Sequence, residues 1–525
     1  MTGIIITLLI VIYRFLLTNI LGEYGMGYYS IALVIYLFLM TCFAYGIPKA
    51  LSVILTKQRA EGQYGLLYKT IQSSLIFALL IGGISTVILF VGADLIAVYL
   101  MNASYSAYVI RAIAPSILLV CVSAVLRGIF YGTKLTTVSH FSQGIEKGFI
   151  TIAGIAGAIL LKRIAQGNPE IEAVYSALGA SIGLTLGTFI ACVYLLAYFK
   201  NYYKRLLHIS LKDTNKDTQK RNGIINTLIN TMIPFVLTLI IFHLSDLIDY
   251  AVFNHIMGVQ GYKETEYIKL LGMLNGKYAF FISIPLLIIH WYASSKIPHL
   301  KELVDHGNVR KLKSYTSQIL RYTMLFIIPC TALYMLFANP FMDLIFNGNN
   351  ELPASLLRTG AVSIVFYSLS VILNAVLNTL NDWVSVAKNA LFSLIIQVVS
   401  LLLMLIIFQW NIIAMIISRI VFAVSLYIFN EHTLRERTGY IQEYKRTITI
   451  PVLSSLFMCI ISYLLYFVVK LLIDENIAFI IAFIISIPVY ILALVFFGGI
   501  TQREIYRIPF GKFLAPLCRK LHLVK

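Results

Sequence analysis

Basic side chains stand inside or at the ends of long apolar runs at Arg14, Arg127, Lys277 and Arg419. A guanidinium or ammonium kept from bulk water suits a delocalised anion, and arginine meets a phosphate with paired N–H donors. Ionisable groups at membrane depth are costly and usually face a cavity or a fixed partner. Arg14, in IYRFLLTNILG, either snorkels outward past Gly22 or turns inward to hold an anion. Arg127, beside Gly128, reads as a cytoplasmic anchor or as a ligand contact. Arg419 lies too near the centre of its run to snorkel, which leaves a buried pair or a cavity role. Lys277 reads as an outer-rim charge or as a phosphate contact.

Two further groups have spacing that fits chemistry. His243, Asp246 and Asp249 recur at every third residue and form a drifting stripe on one helix face. Such a stripe suits a coupling cation or proton; the plain alternative is a polar helix end. Asn374, Asn378 and Asn381 stand three to four residues apart. They either hydrogen-bond sugar hydroxyls or join helices to one another. Ser142, Gln143 and Glu146 read as an ordinary helix start. Nothing resembles a nucleotide loop, a metal cluster or a hydrolytic triad, so the sequence points away from catalysis and from ATP-driven transport. No cofactor is expected; the driving force would be Na+ or H+ coupling, or the membrane potential. The six cysteines show no CxxC spacing and read as small buried hydrophobes.

The elements that position these residues are membrane spans. Hydrophobic residues make up 59% of the 525-residue chain and charged ones only 12%, with mean hydropathy +0.86. That composition is of the integral-membrane class. Apolar runs at 3–21, 27–47, 70–92, 111–131, 148–163 and 173–199 precede a polar linker at 200–223. Runs at 224–252, 271–293, 318–338, 356–380, 386–408 and 411–430 follow it, with a last pair at 447–470 and 476–499. Twenty-residue continuous apolar runs mean helices, here about fourteen. The net charge of +18 lies in short loops, against a nucleic-acid partner. About 31 of the Lys and Arg residues fall on one side of the alternating topology, which places both termini and the linker in the cytoplasm. The chain begins within an apolar run, without a charged leader, as expected where no signal peptide is cleaved and the start is slightly shortened.

The two halves resemble each other. At an offset of about 250 residues, Ile47-Pro48 meets Ile297-Pro298 and Asp94-Leu95-Ile96 meets Asp343-Leu344-Ile345. From Arg111 and Arg358 onward the offset is about 247, pairing Ser116 with Ser363, Ser123 with Ser370 and Leu126 with Leu373. Copies of about six spans, each starting from the cytoplasm, are parallel repeats with a cleft at their interface. The expected fold is therefore an all-α polytopic membrane protein of two parallel six-helix repeats plus a C-terminal helix pair. Its parts are lobes at 1–199 and 224–430, the linker 200–223, a cytoplasmic loop 431–446, the extra pair 447–499 and a basic tail 500–525.

Several stretches together resemble the polysaccharide-flippase branch of the multidrug/oligosaccharidyl-lipid/polysaccharide exporter superfamily, which is MATE-like in fold. They are similar above all to stage V sporulation protein B-like and lipid II flippase-like proteins. The stretches are YRFLLTNILGEYGMGYY (13–29), AYGIPKALS (44–52), RAIAPSILLVCVSAVLRGIFYG (111–132), SHFSQGIEKGF (139–149), SDLIDYAVF (245–253) and SKIPHLKELVDHGNVRKLKSY (295–315). The resemblance implies exchange between inward- and outward-facing states, carrying an undecaprenyl-linked saccharide across the bacterial cytoplasmic membrane. Its diphosphate would need cations such as Arg14, Arg127 and Lys277. The last helix pair would offer a groove for the isoprenoid tail, and cell-envelope biosynthesis enzymes would be partners. Thr7 stands where lipid II flippases usually carry arginine, and the second span has no basic residue before Lys49. That departure bears on lipid II itself more than on flipping. The rival readings are a cation-coupled multidrug-type antiporter and a non-transporting scaffold for cell-wall synthesis.

Overall fold

The computed structural model describes residues 2–210 and 221–499. The middle of the basic linker, the basic tail and Cys518 lie outside the described residues. Each apolar run is helical, since only a helix satisfies its own backbone polar groups inside a bilayer. Thirteen helical stretches among the described residues are long and apolar enough to cross a membrane. The first of them, Leu9–Ala60, runs to 52 residues. That is over twice the length of about 20 residues a bilayer requires. It is broken at Gly22, whose φ of 66° lies in the left-handed region. The break separates the two runs, 3–21 and 27–47, from which the sequence predicts two spans.

The chain divides into two compact units, 1–276 with 401–415, and 277–400 with 416–525. The first contains α1 (Thr2–Met40), α2 (Ile47–Ala60), α3 (Tyr64–Val91), α4 (Ala93–Leu95), α5 (Ser106–Ile113) and α6 (Pro115–Gly132). It continues with α7 (Thr136–Ile164), α8 (Pro169–Ser210), α9 (Arg221–Val259) and α10 (Glu264–Gly272). α2 is a charged amphipathic connector that follows the second predicted span, with Lys57 and Arg59 in its last turn. α7 and α8 approach through glycines: a Cβ on Gly179 would lie 2.2 Å from the Gly157 carbonyl oxygen. Small residues let backbones close in this way where lipid supplies no hydrophobic drive.

The second unit contains α11 (Ala279–Asp305), α12 (Val309–Leu336), α13 (Ala338–Ile345), α14 (Glu351–Gly360) and α15 (Val362–Thr379). Most of α16 (Trp383–Ile406) and α17 (Asn411–Thr438) belongs here, with α18 (Ile450–Lys470) and α19 (Glu475–Phe496). Both of the last two helices make aromatic edge-to-face contacts, α18 through Tyr466 on Phe337 and α19 through Phe479 and Phe483. Phe479 meets Phe337 and Phe341, and Phe341 also meets Phe483.

One pair of serines matched between the halves makes the same local bond. Ser116 Oγ donates to the Ile113 carbonyl at 2.5 Å, and Ser363 Oγ to the Gly360 carbonyl at 2.7 Å. Each bond lies just inside the helix that follows a short one, α6 after α5 and α15 after α14. The acidic partners diverge. Asp94 pairs with Arg111, whereas Asp343 accepts from Asn350 Nδ2 at 2.9 Å.

Candidate functional site

A charge cluster of the first unit joins α6 to α7. Arg127 Nη2 reaches Glu146 Oε2 at 2.5 Å, and its Nε donates to Ser142 Oγ at 3.0 Å. Lys147 Nζ takes the other carboxylate oxygen, Oε1, at 2.9 Å. The side chains of Arg127 and Glu146 are only 13% and 8% exposed, while Lys147 is 35% exposed. Ser139 Oγ donates to the Arg127 carbonyl, and Ser142 Oγ to the Ser139 carbonyl, so two hydroxyls brace the arginine's turn. Two cations share one carboxylate, which leaves surplus positive charge in a largely buried cluster. Such an arrangement attracts a further anion.

Arg14 turns inward. Its Nη2 donates to the Asn275 carbonyl at 2.5 Å. Asn275 belongs to a π-helical segment, Met273–Tyr278, between α10 and α11. Wide turns of this kind occur often at functional sites. The division between the two units falls inside it, after Gly276. α10 is pressed against the second half of α1 through Gly27 and Gly272. Its first residue, Glu264, accepts from Tyr28 Oη at 3.3 Å and from the backbone N–H of Ser104 and Tyr105.

The acidic stripe lies on α9. Asp249 is completely buried, and His243 and Asp246 are half-buried. Asp246 is near enough to act electrostatically on His243.

In the second unit Lys277 is buried. Its Nζ donates to Asn350 Oδ1 at 2.8 Å and meets the carbonyls of Asn347 and Asn349 at 3.4 Å. The ammonium thus ties the π-helical segment to the turn before α14. Arg419, half-buried on α17, acts on the hydroxyl of Tyr278. Asn374 is part of a polar chain: Asn430 Nδ2 donates to Asn374 Oδ1 at 2.8 Å, and Asn389 Nδ2 donates to Asn430 Oδ1 and Thr433 Oγ1. Here the asparagine joins three helices, α15, α16 and α17. Asn378 is exposed, and its carbonyl takes the N–H of Asn381.

Between α12, α13, α18 and α19 lies an apolar groove of about 440 Å³, lined among others by Phe326, Cys330, Tyr334, Phe341, Phe483 and Tyr490. Reading the sequence located the helix pair but not the helices that complete this groove.

Sequence reasoning passed over Glu146 as an anion partner and missed Asn275, Asn389 and Asn430 altogether. A carboxylate followed directly by lysine in an otherwise apolar run, IEKGFITIAG, was the available signal for the first. The family model described as "Polysaccharide biosynthesis protein" matches residues 1–304. Lipid II flippase MurJ of Bacillus subtilis (strain 168) is 22% identical over 390 residues, 72% of this chain and 69% of that one. A solved structure of lipid II flippase MurJ in an inward closed conformation matches with a TM-score of 0.66 at 16% identity, covering 93% of this chain and 98% of that one. An inward-facing multidrug resistance MATE family transporter of the MOP superfamily matches with a TM-score of 0.65 at 13% identity, over 82% and 95% of the two chains.

Proposed function

Since the chain belongs to the polysaccharide biosynthesis protein family, we propose that it flips an undecaprenyl-linked saccharide across the bacterial cytoplasmic membrane by alternating access. The observation that carries this reading is the Arg127–Glu146–Lys147 cluster, cationic on balance and largely buried. A multidrug carrier of amphiphilic cations would need the opposite sign. A diphosphate is the group that two adjacent cations receive best. Arg14 is a second candidate for the head group, and Lys277 becomes one only if it leaves the Asn350 turn. Asn374, Asn378 and Arg419 are candidates for the sugar. The apolar groove beside α18 and α19 suits an isoprenoid tail, which gains from burial in proportion to its apolar area.

In this reading the protein forms and breaks no covalent bond; it moves a finished lipid-linked unit supplied by envelope biosynthesis enzymes. Both termini face the cytoplasm, on the strength of the Lys and Arg distribution. Depletion in a bacterial host tests the function. A lipid-linked saccharide precursor should accumulate in the inner leaflet, and mass spectrometry would identify it. Rising drug sensitivity with no precursor would favour the antiporter instead.

The stripe on α9 is proposed to hold the coupling cation or proton, with the buried Asp249 at its core. Asp249→Asn or Asp246→Asn should abolish Na+ or H+ dependence of flipping in proteoliposomes. Dependence unchanged in both variants would take these residues out of the mechanism.

A further inference from the structure

We propose that Glu146 is a resident counter-ion, which the substrate's diphosphate displaces from Arg127 and Lys147. This rests on the flippase reading above and assigns a role that the reading does not require. Each carboxylate oxygen holds one cation, Oε2 with Arg127 at 2.5 Å and Oε1 with Lys147 at 2.9 Å. Among the described residues, the other side-chain partner of the Arg127 guanidinium is the neutral Ser142 hydroxyl. Of the groups that face Glu146 from neighbouring helices, Tyr36 of α1 is uncharged.

Charge balance then decides between addition and exchange. The cluster carries two positive charges and one negative. A diphosphate diester bearing two negative charges would leave it net negative if Glu146 stayed, and neutral if Glu146 withdrew. Net charge is expensive where it is shut away from water, so exchange is favoured. The empty transporter faces the same rule: Arg127 at 13% exposure needs a counter-ion, and Glu146 supplies it. Lys147, the most open of the three at 35%, marks the side from which the phosphates arrive. When the head group leaves, the carboxylate returns to its cations and competes against rebinding.

The test uses the full-length protein in nanodiscs with undecaprenyl diphosphate as the probe, read as an equilibrium dissociation constant. Glu146→Gln should tighten binding by about tenfold, the scale of one removed competing charge pair, and Arg127→Gln should weaken it by about tenfold or more. Glu146→Asp keeps the charge but shortens the reach. It should tighten binding by about threefold, and it keeps the proposal testable if the glutamine variant does not fold. A purely structural carboxylate predicts the reverse: the arginine loses its orientation, and both Glu146 variants bind more weakly or as before. That outcome, with Arg127→Gln still weakened, overturns the counter-ion role and leaves the flippase reading standing. If Arg127→Gln and Lys147→Gln both bind the lipid like the unaltered protein, the cluster does not receive the diphosphate and the observation behind the flippase reading is lost.

Discussion

Gly272→Ala should silence transport and lower the thermal midpoint of the purified protein by roughly 5 °C or more. A Cβ at this position would lie 1.6 Å from the Glu23 carbonyl oxygen and 3.0 Å from the Gly27 nitrogen. Both are backbone atoms, so no rotamer change relieves the collision. On the opposite helix, a Cβ on Gly27 would lie 2.1 Å from the Ile268 carbonyl oxygen. Ordinary overpacking of a core costs about 1–3 kcal/mol. Here the two helices must separate, and the bond of Glu264 to Tyr28 goes with them. The Lys269–Glu23 contact at 3.7 Å is lost as well. Gly83→Ala is the matched control. It lies within α3, with nothing inside 4 Å of an added Cβ, and alanine favours a helix over glycine by about 1 kcal/mol. Equal behaviour of the two variants, in thermal midpoint and in precursor accumulation, would mean that α1 and α10 do not pack this closely.

The difference between what was and was not legible follows from range. Continuous apolar runs fixed the spans, because a helix in lipid needs nothing beyond its own length and hydropathy. Even the paired serines at 116 and 363 were legible, since a hydroxyl bonding three residues back is a local event. Arg127 stands out by its depth, but its partner does not. Glu146 lies 19 residues further on, across a turn at Lys134 with φ of 65°, and a glutamate near a helix start is ordinary. Asn374 reads from the sequence as either sugar contact or glue. Its partner Asn430 is 56 residues away, a separation no periodicity reveals. Lys277 shows the reverse problem. Its surroundings depend on a π-helical segment, for which the sequence carries no simple signal, and on a turn 73 residues later.

That same segment gives Arg14 its importance. Arg14→Ala should reduce flipping by about ten- to a hundredfold, the scale of a lost charged hydrogen bond of about 1.5–3 kcal/mol. The guanidinium holds the Asn275 carbonyl at 2.5 Å. Nearby, Asn275 Nδ2 donates to the Leu271 carbonyl at 2.9 Å, and the Thr18 hydroxyl to the Arg14 carbonyl. The arginine thus fastens the first span to the wide turn of the eighth, beside Gly276, whose added Cβ would stand 2.8 Å from Thr18 Cγ2. Lysine keeps the charge but not the fork of donors, so Arg14→Lys should recover only part of the loss. Precursor accumulation at matched protein levels measures the effect, with the thermal midpoint measured alongside. A loss of transport with the midpoint nearly unchanged fits a charge whose work is done during the cycle. Full activity in Arg14→Ala would make this bond a packing contact and leave Arg127 and Lys147 as the cations that meet the head group.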